Sequence, residues 1–167
     1  QVQLELQVPM VQLVQQVQLE LQAPMVQLAL LDFLEGNWQQ PDNSLWEVRG
    51  PRRQFVHSKV MAWAGVDRAV RSVENHGLPG PVERWRALRD RIHADVCTHG
   101  FDAQRNTFTQ YYGSTSLDAS LLLIPRTGFL PWDDPRVVGT VDAASNPKSR
   151  SRISRPGLHI IKPASRF

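Results

Sequence analysis

Two neighbouring helical stretches with opposite burial patterns limit what this chain can become. From Phe55 to Glu74 the side chains of Val60, Met61, Trp63, Val66, Ala69, Val70 and Val73 cover most of a helix circumference. Such a helix is buried on more than one side, and Ala62, Ala64 and Gly65 let its neighbours come close. Beyond Pro81, by contrast, Val82, Trp85, Leu88, Ile92 and Val96 form a single stripe, with Glu83, Arg84, Arg86, Asp90 and Arg91 mostly elsewhere. That is a surface helix with one buried face. Asn75-His76-Gly77 stops the first helix, with Gly77 suited to a left-handed position. Pro81 fits the first turn of the second helix, and Gly100 ends it.

The flanking segments extend the alternation. Leu30, Leu31, Leu34 and Trp38 fall at helical spacing, and Pro41 and Asn43 end that pattern. Phe101 to Ser116 reads as a loop or short extended stretch. Leu117 to Pro125 is again apolar nearly all round, which predicts a further inner helix. Asp134 and Pro135 then start an outer helix through Val137, Val138 and Val141, with Asp133 and Asp134 as caps. Buried and surface helices in turn predict an all-α fold of concentric layers, an inner ring inside an outer one. A plain solenoid is less fitting, because the helix pairs share no internal repeat. Trp63 and Trp85 lie on helical stripes and are assigned to the core.

Both ends of the chain depart from this pattern. Residues 1–13 read QVQLELQVPMVQL and residues 16–28 read QVQLELQAPMVQL, differing only at Val8 and Ala23. A period of 15 is shorter than that of globular repeats, and Val2, Leu4, Leu6 and Val8 alternate as in a strand. Residues 1–28 therefore form a duplicated Gln-rich segment, explained by a recent duplication or a damaged reading frame. Residues 29–144 form the helical domain. Residues 145–167, rich in Ser, Arg and Pro, are expected to be a disordered basic tail.

The formal charge of +3 comes from that tail, where six of the 19 basic residues meet no acid between Lys148 and Phe167. Removing them leaves 13 basic against 16 acidic residues. A nucleic-acid role would rest on the tail alone, which lacks the aromatic interleaving that stacks bases, so no nucleic-acid partner is expected. No apolar run approaches the roughly 18 residues that cross a bilayer, and no secretory leader is visible. The start at Gln1, without Met, fits a fragment or a processed product. Cys97, the sole cysteine, permits no intrachain disulfide and favours a reducing, cytoplasmic setting. His76, His93, His99 and His159 show no metal-ligand spacing, so neither a metal nor another cofactor is predicted.

The chemistry gathers between Pro41 and Trp63, which read PDNSLWEVRGPRRQFVHSKVMAW and join a surface helix to the buried one. The stretch holds a carboxylate (Glu47), an aromatic platform (Trp46), three arginines (Arg49, Arg52 and Arg53), His57 and Lys59. Aromatic rings stack on pyranose faces, and planar charged groups bind hydroxyls in pairs. Glycosidic cleavage needs one carboxylic acid for the leaving oxygen and a second carboxylate on the opposite face. An apolar ring beside a carboxyl favours the protonated form that can donate. On residue type alone Arg52 and Arg53 are as suited to ion pairs as to substrate. His57 is equally open between a hydrogen-bonded helix position and a site role.

The strings LWEVRGPRR and HSKVMAW resemble the catalytic-acid region of glycoside hydrolase family 15, whose members include glucoamylases, glucodextranases and trehalases. FTQYYGS, LDASLLLIP and FLPWDDPRVVGTV resemble the same family in the same order. The resemblance implies part of an (α/α)6 toroid and an inverting hydrolase of α-glucosidic bonds, with trehalose or a short α-glucan as substrate. Carried over position by position, it makes Glu47 the general acid. Trp46, Arg49, His57 and Lys59 would then line the glucose pocket, with Gln110, Tyr112 and Asp118 in the next active-site loop. The family's general base lies further along than this chain extends, and Asp118 is not assigned that role. About two of six helix pairs are represented. The expected state is a fragment with negligible turnover or, alternatively, an inactive remnant serving as a helical interaction module. Its uncovered inner-helix surface would favour self-association.

Overall fold

A computed structural model describes residues 25–45, 47 and 50–145. The Gln-rich repeat up to residue 24 and the basic tail from residue 146 lie outside the described residues, as do Trp46, Val48 and Arg49. Five α-helices and one minimal ribbon make up the body. They are α1 (25–37), α2 (Val56–His76), α3 (Val82–His99), β1 (Phe101–Asp102), β2 (Thr107–Phe108), a 3-10 turn (Ala119–Leu123), α4 (Ile124–Thr127) and α5 (Pro135–Ser145). The fold is all-α, as the periodicity predicts, and the only sheet among the described residues is the antiparallel pair Phe101–Phe108 and Asp102–Thr107. No helix among the described residues is long and apolar enough to cross a membrane.

The two central helices behave as their patterns require. Helix α2 buries Val56, Val60, Trp63, Val66, Ala69 and Val70, leaving a narrow exposed line through Met61, Gly65 and Arg68. Helix α3 buries one stripe, Trp85, Leu88, Ile92 and Val96. Gly77 ends α2 at φ 65°, and its N–H donates to the Val73 carbonyl at 3.0 Å, which satisfies one of the otherwise unpaired terminal carbonyls. Trp63 packs edge-on to Phe129, and His93 stacks on the same ring, so the core joins α2, α3 and the segment after α4.

Three expectations change. The predicted inner helix over Leu117–Pro125 is a 3-10 turn followed by a single α-turn. Asp118 starts it by accepting from the Ser120 N–H, Pro125 removes a backbone donor, and Gly128 at φ 85° stops it. Its apolar run is also only half covered, since Leu122 and Leu123 remain exposed. In α5 only Val137 and Thr140 are buried, while Val138 and Val141 face outward. Helix α1 is already formed at residue 25, the first described residue. It buries Leu31 and Trp38 but exposes Leu30. Asp134 caps α5 as expected, its Oδ1 accepting from the Arg136 N–H at 2.9 Å.

Gly139 lets α5 sit against the turn of the ribbon. A Cβ there would lie 2.0 Å from the Asn106 carbonyl oxygen, a backbone atom with little room to move. Alanine would normally gain about 1 kcal/mol inside a helix. The clash outweighs that gain, so Gly139→Ala is expected to lower stability by about 2 kcal/mol in urea denaturation. An unchanged or higher midpoint would contradict this packing.

Candidate functional site

Three non-helical strands of chain meet at the N-terminus of α2. Asp42 and Arg53 exchange backbone N–H to O bonds at 2.9 Å each, and Phe55 bridges to Tyr111. The first backbone donor of the helix, Val56 N–H, reaches the Gln110 carbonyl at 3.1 Å, and Tyr112 N–H reaches the Gln54 carbonyl at 3.0 Å. One of the donors that a helix start leaves unpaired is thus taken by a neighbouring loop, which ties the entry of α2 to the segment around Tyr111.

Asp42 organises the near side of this junction. Its Oδ1 accepts from the Ser44 N–H at 2.6 Å, closing an Asx turn, and from the Ser58 hydroxyl at 2.8 Å. Lys59 is buried on the next part of α2. Its Nζ donates to the Trp38 carbonyl at 2.5 Å and the Gln40 carbonyl at 2.7 Å, with Asp42 Oδ2 at 4.0 Å. Burial lowers the Lys59 pKa, against the attraction of Asp42 and Asp95. The ammonium therefore holds the end of α1 to the start of α2.

Between these elements opens a cavity of about 520 Å³ lined by, among others, Trp38, Asp42, Leu45, His57, Lys59 and Met61. His57 is buried, and desolvation lowers its pKa against the charges of Asp118 and Asp42. Behind it lies a buried amide–carboxylate pair. Gln110 Nε2 donates to Asp118 Oδ2 at 3.2 Å, while Asp118 Oδ1 accepts from the Ser120 N–H at 2.8 Å. An aromatic ring, amide and hydroxyl groups and one charge of each sign suit a neutral, hydroxyl-rich ligand. Among the described residues, no group of three or more His, Cys, Asp or Glu is arranged to hold a metal.

Glu47 stands at the rim and is exposed. It closes a turn, its N–H donating to the Ser44 carbonyl at 3.2 Å, and the cavity lining among the described residues reaches as far as Leu45. Two non-glycine residues in this one turn take left-handed backbone angles, Ser44 at φ 64° and Glu47 at φ 45°. Each such residue costs roughly 1–2 kcal/mol. Strain of this kind concentrates where a side chain is aimed for use. Trp46 and Arg49, predicted to flank Glu47, lie outside the described residues.

The predicted residues fall into three places. His57 and Lys59 line the cavity. Gln110 and Asp118 form the buried pair behind His57. Tyr112 turns elsewhere: its hydroxyl donates to Asp95 Oδ2 at 2.7 Å, its ring packs on His99, and burial raises its pKa. Of the two open arginines, Arg53 places its guanidinium 4.5 Å from the Tyr111 ring centre, a cation–π contact, while Arg52 is exposed. Asp42 and Ser58 were not singled out from the sequence. The Pro-Asp-Asn-Ser turn signal at residues 41–44 was the clue to Asp42, since Asp two residues before a backbone donor favours an Asx turn.

Comparison with known proteins adds a second line. Residues 10–157 match the sequence model of Glycosyl hydrolases family 15. A trehalase of Thermoplasma acidophilum is 47% identical over 108 residues, covering 65% of this chain and 19% of that protein. A trehalase of Mycobacterium tuberculosis is 48% identical over 110 residues, covering 66% of this chain and 16% of that protein. A glycosidase solved in complex with glucose superposes with a TM-score of 0.57 at 22% identity, covering 65% of this chain and 29% of that one. This likeness concerns the fold. The chain spans less than a fifth of the length of either trehalase.

Three measurements check the site. Glu47→Gly relieves a left-handed position and is expected to raise stability by about 1 kcal/mol, whereas Glu47→Gln leaves it unchanged; equal urea midpoints for both would contradict the strain. Lys59→Met leaves two carbonyls without their charged donor and is expected to cost about 2–3 kcal/mol, and a cost near zero would show the ammonium to be dispensable. His57 and His93 both have pKa values below 6.5 through burial. The unfolded chain then takes up protons first. Their contribution is full above pH 6.5 and falls as pH drops below it. The urea midpoint should decrease from pH 7.5 to 5.5, less steeply in His93→Gln, and an identical slope in the variant would contradict that assignment.

Proposed function

Because the chain belongs to glycosyl hydrolases family 15, we propose that it is the acid-bearing segment of an inverting α-glucosidic-bond hydrolase of trehalase type. The carrying observation is the turn before α2, in which Glu47 takes a strained backbone angle two residues beyond Leu45 in the cavity wall. The identity of 47–48% to two trehalases over about 110 residues favours trehalose over longer α-glucans.

In this reading Glu47 protonates the departing glycosidic oxygen as the bond to the anomeric carbon breaks. Inversion requires a second carboxylate on the opposite sugar face, roughly 6.5–9.5 Å from the first, to take a proton from the attacking water. Asp118 does not serve as that base: its two oxygens already accept from Gln110 and Ser120. The base is assigned to a segment beyond the described residues, and the (α/α)6 ring closes with further helix pairs. Trp46 and Arg49 are assigned to the glucose pocket with His57 and Lys59. His57, kept neutral by burial, offers a ring nitrogen to a sugar hydroxyl, while Lys59 acts by holding the junction. Gln110 and Asp118 support His57. Tyr112, bound to Asp95, orders the loop instead of touching sugar.

The test is a chimera in which the matched stretch of the mycobacterial trehalase is replaced by the corresponding stretch of this chain. It is expected to release glucose from trehalose, with kcat reduced about 10²–10⁴-fold by Glu47→Gln. A chimera that keeps its rate with Glu47→Gln would sink the assignment. The 167-residue chain alone is expected to release no glucose.

A further inference from the structure

Glu47 lies in a loop that the backbone pins at its base. Asp42 and Arg53 exchange N–H to O bonds at 2.9 Å each. Those bonds set where the loop begins and ends, but not the path it takes at Glu47. A side chain makes the connection into the loop. Asp42 Oδ1 accepts from the Ser44 N–H at 2.6 Å, and the Ser44 carbonyl accepts from the Glu47 N–H at 3.2 Å. The same Oδ1 accepts from the Ser58 hydroxyl at 2.8 Å. Ser58 stands in the first turn of α2, next to His57 in the cavity wall. Hydrogen bonds thus run in series from α2, through one carboxylate oxygen, to the backbone of Glu47.

The Asp42 carboxylate has a competing use as a counter-charge for Lys59, and distances decide between the two. Asp42 Oδ2 is 4.0 Å from Lys59 Nζ, while that ammonium already donates to the Trp38 and Gln40 carbonyls at 2.5 and 2.7 Å. A contact at 4.0 Å is too long for a hydrogen bond, whereas direct bonds to an ionised acceptor are short and strong. Both direct side-chain bonds fall on Oδ1, at the turn. That turn also holds Ser44 at φ 64° and Glu47 at φ 45°. A free chain would give up both angles, so contacts outside the pair must impose them. The bond from Ser44 to Asp42 is such a contact.

We propose that Asp42 is a positioning residue for the acid: its Oδ1 ties the Glu47 turn to the first turn of α2 and so keeps the Glu47 carboxyl in line with the leaving oxygen. The proposal rests on the reading of Glu47 as general acid and adds the group that keeps it in place. Asp42 touches no sugar and moves no proton in this role. Its loss displaces the acid, a fault felt in proton delivery and not in glucose binding. A shift of about 1 Å in a catalytic group can cost about 10²-fold in rate.

The test compares leaving groups in the trehalase chimera. Asp42→Ala is expected to lower kcat on trehalose about 10–10²-fold with KM unchanged, and to leave α-glucosyl fluoride, whose fluoride departs without a proton, near the parent rate. Asp42→Asn keeps an acceptor oxygen at the turn and should recover most of the loss. Ser58→Ala, which cuts only the link to α2, should show the same selective loss to a smaller degree. Equal loss on both substrates, a raised KM, or no effect of Asp42→Ala would overturn the proposal. Glu47→Gln separates the two readings. If it slows both substrates alike, or neither, the acid assignment fails and this proposal with it. If it spares the fluoride while Asp42→Ala does not, positioning alone fails. The full 167-residue chain reads the turn without turnover. Glu47→Gly, expected to raise the urea midpoint of the parent, should give no rise in Asp42→Ala, where the untied turn has already relaxed. An equal rise in both backgrounds would overturn the tie, and Ser58→Ala decides the same comparison if Asp42→Ala does not fold.

Discussion

The buried ammonium of Lys59 ties the structure together. It joins the Trp38 and Gln40 carbonyls, at the end of α1, to the first turns of α2. A buried charge is costly unless paired, and here two carbonyls and the Asp42 carboxylate answer it. With that junction fixed, Asp42 closes its Asx turn, the bridge to Arg53 forms, and the loop bearing Glu47 leaves from a defined base. Apolar contacts between α1 and α2, such as Leu34 near Gly65, set distance more than register.

The site combines a rigid floor with a strained rim. The floor is buried, with His57 on the cavity wall and, near it, Gln110 and Asp118 joined to each other by a directional bond. The rim is a turn with left-handed angles at Ser44 and Glu47. A strained residue persists only where its surroundings over-determine it. The Asx turn at Asp42 and the bridge at Arg53 hold the two sides of this loop. Exposure suits a group that meets its substrate from solvent.

Much of the helical layout was legible because it rests on local rules. The all-round apolar pattern of α2, the single stripe of α3, the left-handed stop at Gly77 and the cap at Asp134 each follow from spacing and residue type. The short 3-10 segment was not legible, because Leu117 to Pro125 carries the apolar content of a helix while its length is decided by Pro125 and Gly128. Lys59 was singled out for its charge, but its two carbonyl partners lie 19 and 21 residues away and leave no periodic trace. The same holds for Tyr112, whose bond to Asp95 depends on how the ribbon turns back along α3. Glu47 was reached through the family resemblance, since a lone carboxylate in a loop has no pattern of its own.

The account turns on whether Glu47 delivers a proton to the leaving oxygen, and leaving-group dependence reads that directly. In the trehalase chimera, Glu47→Gln should slow trehalose hydrolysis by about 10²–10⁴-fold while hydrolysis of α-glucosyl fluoride, whose leaving group needs no proton, stays near the parent rate. An equal loss on both substrates would show that Glu47 does something other than acid catalysis.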